Sequence, residues 1–326
     1  MQREYRLLTY RGTDGKPTAG VLVDQTVYPL KSLLSSQLNL DDWSVLGALQ
    51  RWSEVQPKLR AAAEKTDGKG GMPLASVTLM APILYPSALF CAGANYWDHL
   101  EEMAELAKKM TGKAPSMVKP AEPWLFVKTA AHSIVATNTD VPLPSFSKQM
   151  DWEAELGVVI GKTVRNLPAE RYKEAIAGFV IVNDLSARDY VKREGSIFVY
   201  DWIGQKCFDG AAPMGPWITP LEFVPDPNDM PIKLTVNGVV KQQSNSGKMV
   251  HSIAEQIAYL SSRMTLRPGD VIATGTPAGV GFGRGEFLKP GDVIRIEIAN
   301  CGILENRMVA EAATAGGGST KHAALA

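Results

Sequence analysis

The stretch Asp151-Trp152-Glu153-Ala154-Glu155-Leu156-Gly157-Val158 sets three carboxylates on alternate residues. Trp152, Ala154, Leu156, Val158 and Ile160 occupy the other parity, and a period of two marks a β-strand whose apolar side faces a core. No Lys or Arg stands among the acids, and like charges on one strand face repel. Open water can offset that repulsion, and so can a divalent cation.

Other residues have types and contexts that suit chemistry. Asp184 ends the apolar run Phe179-Val180-Ile181-Val182-Asn183, either as a turn former or as a functional carboxylate. Lys206, in Gly204-Gln205-Lys206-Cys207-Phe208-Asp209, is either a solvated surface residue or a site cation. The loop Thr274-Gly275-Thr276-Pro277-Ala278-Gly279-Val280-Gly281 follows a strand, as phosphate loops do, but lacks the Gly-Lys-Ser/Thr ending, and no helix pattern follows it. It is a tight glycine turn, or else it aims backbone N–H groups and the Thr276 hydroxyl at a carboxylate or oxyanion.

His99 and Glu102 stand three apart, which on a helix puts both on one face. A histidine oriented by a carboxylate is a general base; a purely structural pair is the alternative. His132, His251 and His322 have no comparable neighbour in sequence and read as structural or tail residues. Cys207, beside Lys206, reads as an inert thiol, because no Cys/His arrangement supports nucleophilic catalysis. The absence of a Gly-x-Ser-x-Gly elbow argues against a serine hydrolase.

The elements that must position these residues are mostly strands. Tyr5–Tyr10 and Gly20–Val27 read as strands, followed by an amphipathic helix opened by Asp41-Asp42 and running through Leu46, Leu49, Trp52 and Val55. With the break Thr66–Gly71, they make residues 1–82 a small N-terminal α+β unit. Residues 83–312 form the main domain, with short β-branched runs separated by Pro and Gly. Gly178–Val182 is a buried strand, Asn237-Gly238 joins Ile232–Val236 to Val239–Gln242 as a hairpin, and Val271–Ala273 and Val293–Ile298 each follow a Pro-Gly-Asp turn. One helix opens with a capping box, Ser252 and Glu255, and another runs from Pro168 to a stop at Gly178. Residues 313–326 read as a disordered tail. The fold class is mainly β (α+β), with helices packed outside the sheets.

Composition narrows the function classes. Lys plus Arg and Asp plus Glu are 34 each in 326 residues, so no net field points to nucleic acid or an anionic membrane. There is no secretory signal and no apolar run long enough to span a bilayer. Three widely spaced cysteines argue against a disulfide framework and for a cytoplasmic location.

Taken in order, Gly93-Ala94-Asn95-Tyr96-Trp97-Asp98-His99, Glu153-Ala154-Glu155, Asn183-Asp184-Leu185-Ser186-Ala187-Arg188-Asp189, Lys206 through Pro216 and Gly275 through Gly281 resemble the fumarylacetoacetate hydrolase family. The resemblance covers roughly residues 84–310. It implies a mixed β-roll with peripheral helices, a homodimer, and a Mg²⁺ or Mn²⁺ site with Glu153, Glu155 and Asp184 as ligands. It makes His99 and Glu102 a catalytic dyad on a mobile lid and Lys206 the active-site lysine. Tyr96, Arg188, Gln205, Gly275 and Thr276 become substrate contacts. Asp151 matches no ligand position and is assigned to hydrogen bonding or solvent near the site mouth. Two departures stand out: Ala94, where many relatives carry a longer side chain, and the long segment between Glu102 and Phe126.

The implied reaction is hydrolysis of a C–C bond in a 1,3-diketone or 2,4-dioxo acid, of acylpyruvate or fumarylpyruvate type, in aromatic catabolism. The alternative keeps the metal-enolate site and decarboxylates a 2-keto acid such as oxaloacetate, or isomerises a 2-hydroxy-diene-dioate. A non-enzymatic metal-binding scaffold would be expected to lack the dyad, the lysine or the carboxylates, and all are present.

Overall fold

The computed structural model describes residues 3–312, so the expected tail and His322 lie outside the described residues. The chain opens with β1 (Tyr5–Arg11), β2 (Pro17–Val23) and β3 (Thr26–Pro29). The single strand expected over Gly20–Val27 is thus two, because Asp24 takes φ 54° and reverses the chain in a two-residue turn. The helix expected from Asp41 is also two, α1 (Val45–Gln50) and α2 (Trp52–Ala63). Ser44, not the aspartates, caps the first, its hydroxyl accepting Gly47 N–H at 3.0 Å, and Arg51 breaks the run at φ −120°, ψ 32°.

The main segment supplies β4 (Leu89–Ala92), α3 (Trp97–Thr111), β5 (Leu125–Lys128), β6 (Ala154–Ile160), β7 (Ile176–Asn183), α4 (Trp202–Lys206) and β8 (Ala212–Pro220). It continues with β9 (Pro231–Val236), β10 (Val239–Asn245), α5 (Ile253–Arg263), β11 (Val271–Ala273), α6 (Gly281–Arg284), β12 (Val293–Ile298) and β13 (Gly302–Ala310). The larger sheet runs β3-β2-β1-β8-β7-β6-β11-β4-β5, and the smaller one β10-β9-β12-β13. Antiparallel pairing dominates; β11 and β4 run parallel. β1 joins β8 at Leu7↔Ile218, so the sheet continues across residue 82.

The alternation read along the carboxylate segment is the geometry of this sheet. Trp152, Ala154, Leu156, Val158 and Ile160 lie in one core with Ile232, Leu234, Ile294 and Ile296 of the smaller sheet and with Ile253, Ile257 and Leu260 of α5. Val159, Val180 and Val182 face the opposite core, built with Val45, Leu49, Val55 and Leu59 of the N-terminal helices. Both faces are therefore dry, and each such side chain contributes about 1.5–3 kcal/mol by leaving water.

The hairpin at Asn237-Gly238 forms with both residues at positive φ, and Ser252 and Glu255 form their capping box. The helix expected from Pro168 to Gly178 is a shorter 3₁₀ turn, Ala169–Ala175, and Gly178 lies inside β7. There the glycine serves close strand approach, since a Cβ would sit 2.2 Å from Thr219 O. Among the described residues, no helix is long and apolar enough to cross a membrane.

Candidate active site

The sheet brings the carboxylates of Glu153, Glu155 and Asp184 together, with one oxygen from each inside a 4.8 Å span, all buried. Glu153 precedes β6, Glu155 lies within it, and Asp184 follows the neighbouring strand β7; Asp184 N–H donates to Glu153 O at 2.9 Å and locks the two strand ends together. The missing positive charges come from elsewhere in the chain. Lys206, at the end of α4, donates to Glu153 Oε2 at 2.8 Å and Asp184 Oδ2 at 2.7 Å. Arg188 reaches Glu153 Oε1 at 2.5 Å and Asp151 Oδ2 at 2.8 Å. Lys128 closes on Asp184 Oδ1.

These contacts divide the carboxylates electrically. Burial alone would push Glu153 up, but Lys206 and Arg188 outweigh it and hold the acid at about 2. Glu155 goes the other way. Burial, then the charges of Asp184 and Glu153, hold it well above the usual carboxylate range. Its Oε2 accepts Gly275 N–H at 2.9 Å, while its buried Oε1 has no hydrogen-bond partner among the described residues. An orphaned carboxylate oxygen beside two other carboxylates, with no sulfur or imidazole among the three, is a donor set that fits a hard divalent cation.

Asp151 is not at a solvent-facing mouth. It is wholly buried, pairs in the short ladder Met150–Asp151 with Ser186–Ala187, and accepts from Trp152, Gly281 and Phe282 N–H groups as well as from Arg188. It serves as a buried hydrogen-bond acceptor and as the ion-pair partner of Arg188.

The glycine loop is likewise turned inward. A one-turn helix, α6, does follow it, and the loop N–H groups go to side chains of this chain: Gly275 to Glu155, Ala278 to Asp98, Gly279 to Glu102, and Gly281 to Asp151. The Thr276 hydroxyl donates to Ala154 O at 3.0 Å and accepts from Gln242 Nε2 at 2.8 Å. Gly279 sits at φ 102° with its would-be Cβ 2.0 Å from Lys241 O, so only glycine fits there.

His99 and Glu102 share one face of α3, with Nδ1 3.4 Å from Oε2, and both are partly buried. Glu102 in turn accepts Gly279 N–H at 3.0 Å, so the pair is tethered to the loop that also touches Glu155. Tyr96 is fully buried just before α3. Gln205 is buried next to Lys206, its Oε1 without a hydrogen-bond partner. The guanidinium of Arg188, expected to meet substrate, is committed to Asp151 and Glu153. His251 does have an acidic neighbour, with Glu255 Oε1 3.7 Å from its Nδ1.

Sequence reasoning passed over Lys128, Gln242 and Asn183, whose side-chain oxygen accepts Glu153 N–H at 3.1 Å. An isolated Lys at a strand end carried no local signal. Gln242, fully buried in a strand whose other residues are exposed or half-buried, carried none either.

The family model for the C-terminal domain of fumarylacetoacetate hydrolase matches residues 88–309. The chain belongs to the fumarylacetoacetate hydrolase family. Within this family it is 39% identical over 240 residues to the human mitochondrial oxaloacetate tautomerase FAHD2B, covering 73% of this chain and 71% of that protein. The fumarylacetoacetate hydrolase of Exiguobacterium antarcticum superposes with a TM-score of 0.76 at 31% identity, over 94% of this chain and 100% of that one. Maleylpyruvate hydrolase from Sphingobium sp. SYK-6, solved with manganese(II) and pyruvate, gives a TM-score of 0.71 at 27% identity, over 94% of this chain and 99% of that one. The mixed β-roll with peripheral helices is thus the family's fold, and the family's known members include both tautomerases and hydrolases.

Proposed function

We propose that this chain is a divalent-cation-dependent enzyme that interconverts the keto and enol forms of an oxaloacetate-type 2-oxo dicarboxylate. The observation that carries the reading is the buried Glu153-Glu155-Asp184 set with its unpartnered Glu155 oxygen. The similarity to an oxaloacetate tautomerase favours this chemistry over the C–C hydrolysis that the motifs first suggested. Glu153, Glu155 and Asp184 would hold Mg²⁺ or Mn²⁺, which when bound polarises a 2-oxo group and offsets the charge developing on its oxygen.

The remaining work falls to side chains. Four buried carboxylates (Asp151, Glu153, Glu155, Asp184) against three cations (Lys128, Arg188, Lys206) leave one net negative charge once Glu155 gives up the proton that its surroundings favour in the metal-free protein. Loading with a divalent ion turns that balance positive and suits an anionic substrate. His99, oriented by Glu102, removes the proton from carbon 3 of the keto acid and, as the imidazolium, returns it to the 2-oxygen, so the isomerisation balances without a co-reactant. Lys206 is kept protonated: burial opposes its charge, but Asp184 and Glu153 outweigh burial, so it acts by charge and not as a base. Tyr96 and Gln205, whose buried side-chain oxygens find no hydrogen-bond partner among the described residues, are the proposed substrate contacts, whereas the Gly275 N–H and the Thr276 hydroxyl are already engaged within the chain.

The same His99–Glu102 pair also suits activation of water, which keeps hydrolysis of a 2,4-dioxo acid as the second reading. Proton NMR in D₂O separates the two. Metal-dependent acceleration of deuterium exchange at carbon 3 of oxaloacetate, lost in His99→Ala, is the expected result. Release of pyruvate and a second acid from an acylpyruvate, with no acceleration on oxaloacetate, would replace the proposal with hydrolysis. Accumulation of pyruvate from oxaloacetate would mark decarboxylation instead.

A homodimer is part of the same proposal. Ile197, Phe198, Val199 and Tyr200, with Ile203 of α4, form an exposed apolar run that a second copy would cover, and light scattering on the purified protein reads its mass. The cysteines Cys91, Cys207 and Cys301 are all free, which suits a reducing compartment without naming one.

A further inference from the structure

Lys128 ends β5, and its side chain has no solvent exposure. A buried ammonium is tolerated only when its charge is paired and its hydrogens are all used. Lys128 meets both conditions. It donates to Asp184 Oδ1, to Leu185 O at 2.9 Å and to Ala211 O at 2.6 Å. These acceptors are the third carboxylate of the site, the residue that follows it, and the residue that leads into β8. Lys206 holds the other oxygen of Asp184, so each oxygen of that carboxylate is fixed by a different lysine. The two lysines differ in their remaining bonds. Lys206 spans two carboxylates, whereas Lys128 spends its other two donors on backbone carbonyls and staples Asp184 to the chain on either side of the site.

We infer that Lys128 is a positioning residue that fixes the Asp184 carboxylate, and the turn that carries it, in the orientation that completes the three-carboxylate cation site. The inference rests on the cation reading given above. Its signature is the sign of an effect. If Lys128 acted only as a nearby positive charge, removing it would relieve repulsion and tighten binding of a divalent ion. A positioning role predicts the reverse, because partners that orient a ligating carboxylate typically carry 10–100-fold of metal affinity.

The test uses the full chain, stripped with EDTA and titrated with MnCl₂, with free Mn²⁺ counted by electron paramagnetic resonance. Lys128→Met removes charge and donors. Lys128→Gln removes the charge but keeps an amide donor for the carbonyls, and protects the fold if the methionine variant does not. Circular dichroism and a thermal melt of the stripped protein establish that each variant is folded. A loss of about 10-fold or more in Mn²⁺ affinity in a folded variant supports the inference. Affinity equal to or tighter than wild type in a folded variant overturns it. If neither variant folds, the lysine serves the fold and not the site, which also overturns it. Wild type that binds no Mn²⁺ is a separate outcome, which removes the cation reading and this inference with it.

Discussion

Replacing Asp151 by asparagine tests whether the third acid of the alternating row is a structural anchor. Asp151 is fully buried and accepts from Arg188 Nε at 2.8 Å, Gly281 N at 2.6 Å, Phe282 N at 3.0 Å and Trp152 N at 2.8 Å. An asparagine oxygen can keep Gly281 and Trp152, but its NH₂ then faces two donors, Arg188 and Phe282 N–H. Breaking a buried ion pair costs about 3–5 kcal/mol when the other charge is stranded. Here Arg188 keeps Glu153 and is slightly exposed, which brings that part to about 2 kcal/mol. The unpaired Phe282 N–H adds about 1 kcal/mol. The expected loss is therefore about 3 kcal/mol, or a fall of roughly 1 M in the urea midpoint for a slope of about 3 kcal/mol/M. Urea unfolding followed by tryptophan fluorescence reads it, with the exposed Asp140→Asn as a control expected to change by less than about 0.5 kcal/mol. A midpoint for Asp151→Asn within about 0.2 M of wild type would refute the anchoring argument.

Further outcomes follow from other contacts. Gly279→Ala must displace backbone, because its Cβ would lie 2.0 Å from Lys241 O at a φ of 102°, so the N–H that holds Glu102 moves. Steady-state assays should show kcat falling about 10-fold or more, and unchanged kcat would detach Glu102 from the reaction. Glu155→Gln mimics the protonated acid that burial and its neighbours favour, so the metal-free melt should stay near wild type. That variant should lose the stabilisation Mn²⁺ gives wild type, about 2.7 kcal/mol at a hundredfold excess over Kd, and a retained thermal shift would remove Glu155 from the ligand set. Burial lowers the His251 pKa, with Glu255 opposing. The folded protein therefore binds its proton less readily than the unfolded chain, and stability is present above about 6.5 and declines as pH falls below it. In urea titrations at pH 7.5 and 5.5, His251→Gln should show a smaller decline than wild type; an equal decline would show that His251 does not contribute.

What was legible in the sequence was whatever a local rule governs. The two-residue parity of Trp152 through Ile160 survives because strand geometry imposes it whatever the strand packs against. The hairpin at Asn237-Gly238 and the capping box at Ser252 are likewise settled within a few residues. The His99–Glu102 pair was readable because both groups sit on one helix turn. Where two local rules competed, the reading slipped: Ser44 displaced Asp41-Asp42 as the cap, and Gly178, a plausible helix stop, was needed inside a strand where Thr219 O passes close by.

The charge balance of the site was only partly legible, because it is assembled by closure of the sheet: Lys206 and Arg188 were placed at the site but not on the carboxylates they pair, and Lys128 was missed. Lys128 and Asp184 lie 56 residues apart, and Lys206 and Glu153 lie 53 apart. Nothing beside Lys128 distinguishes a lysine that reaches water from one that staples a carboxylate. The acids could be counted along one strand, whereas their counter-ions arrive from a strand, a helix and a turn elsewhere in the chain. The repulsion along Asp151, Glu153 and Glu155 therefore required cations to be found, without specifying whether protein or metal would supply them. The structure supplies the protein's share of that offset and distributes it unequally. Arg188 and Lys206 meet Glu153, Arg188 and backbone N–H groups meet Asp151, and Glu155 is left with an oxygen that no hydrogen-bond donor among the described residues reaches. That unequal treatment of three similar acids is the strongest physical argument that one of them is kept for a ligand from outside.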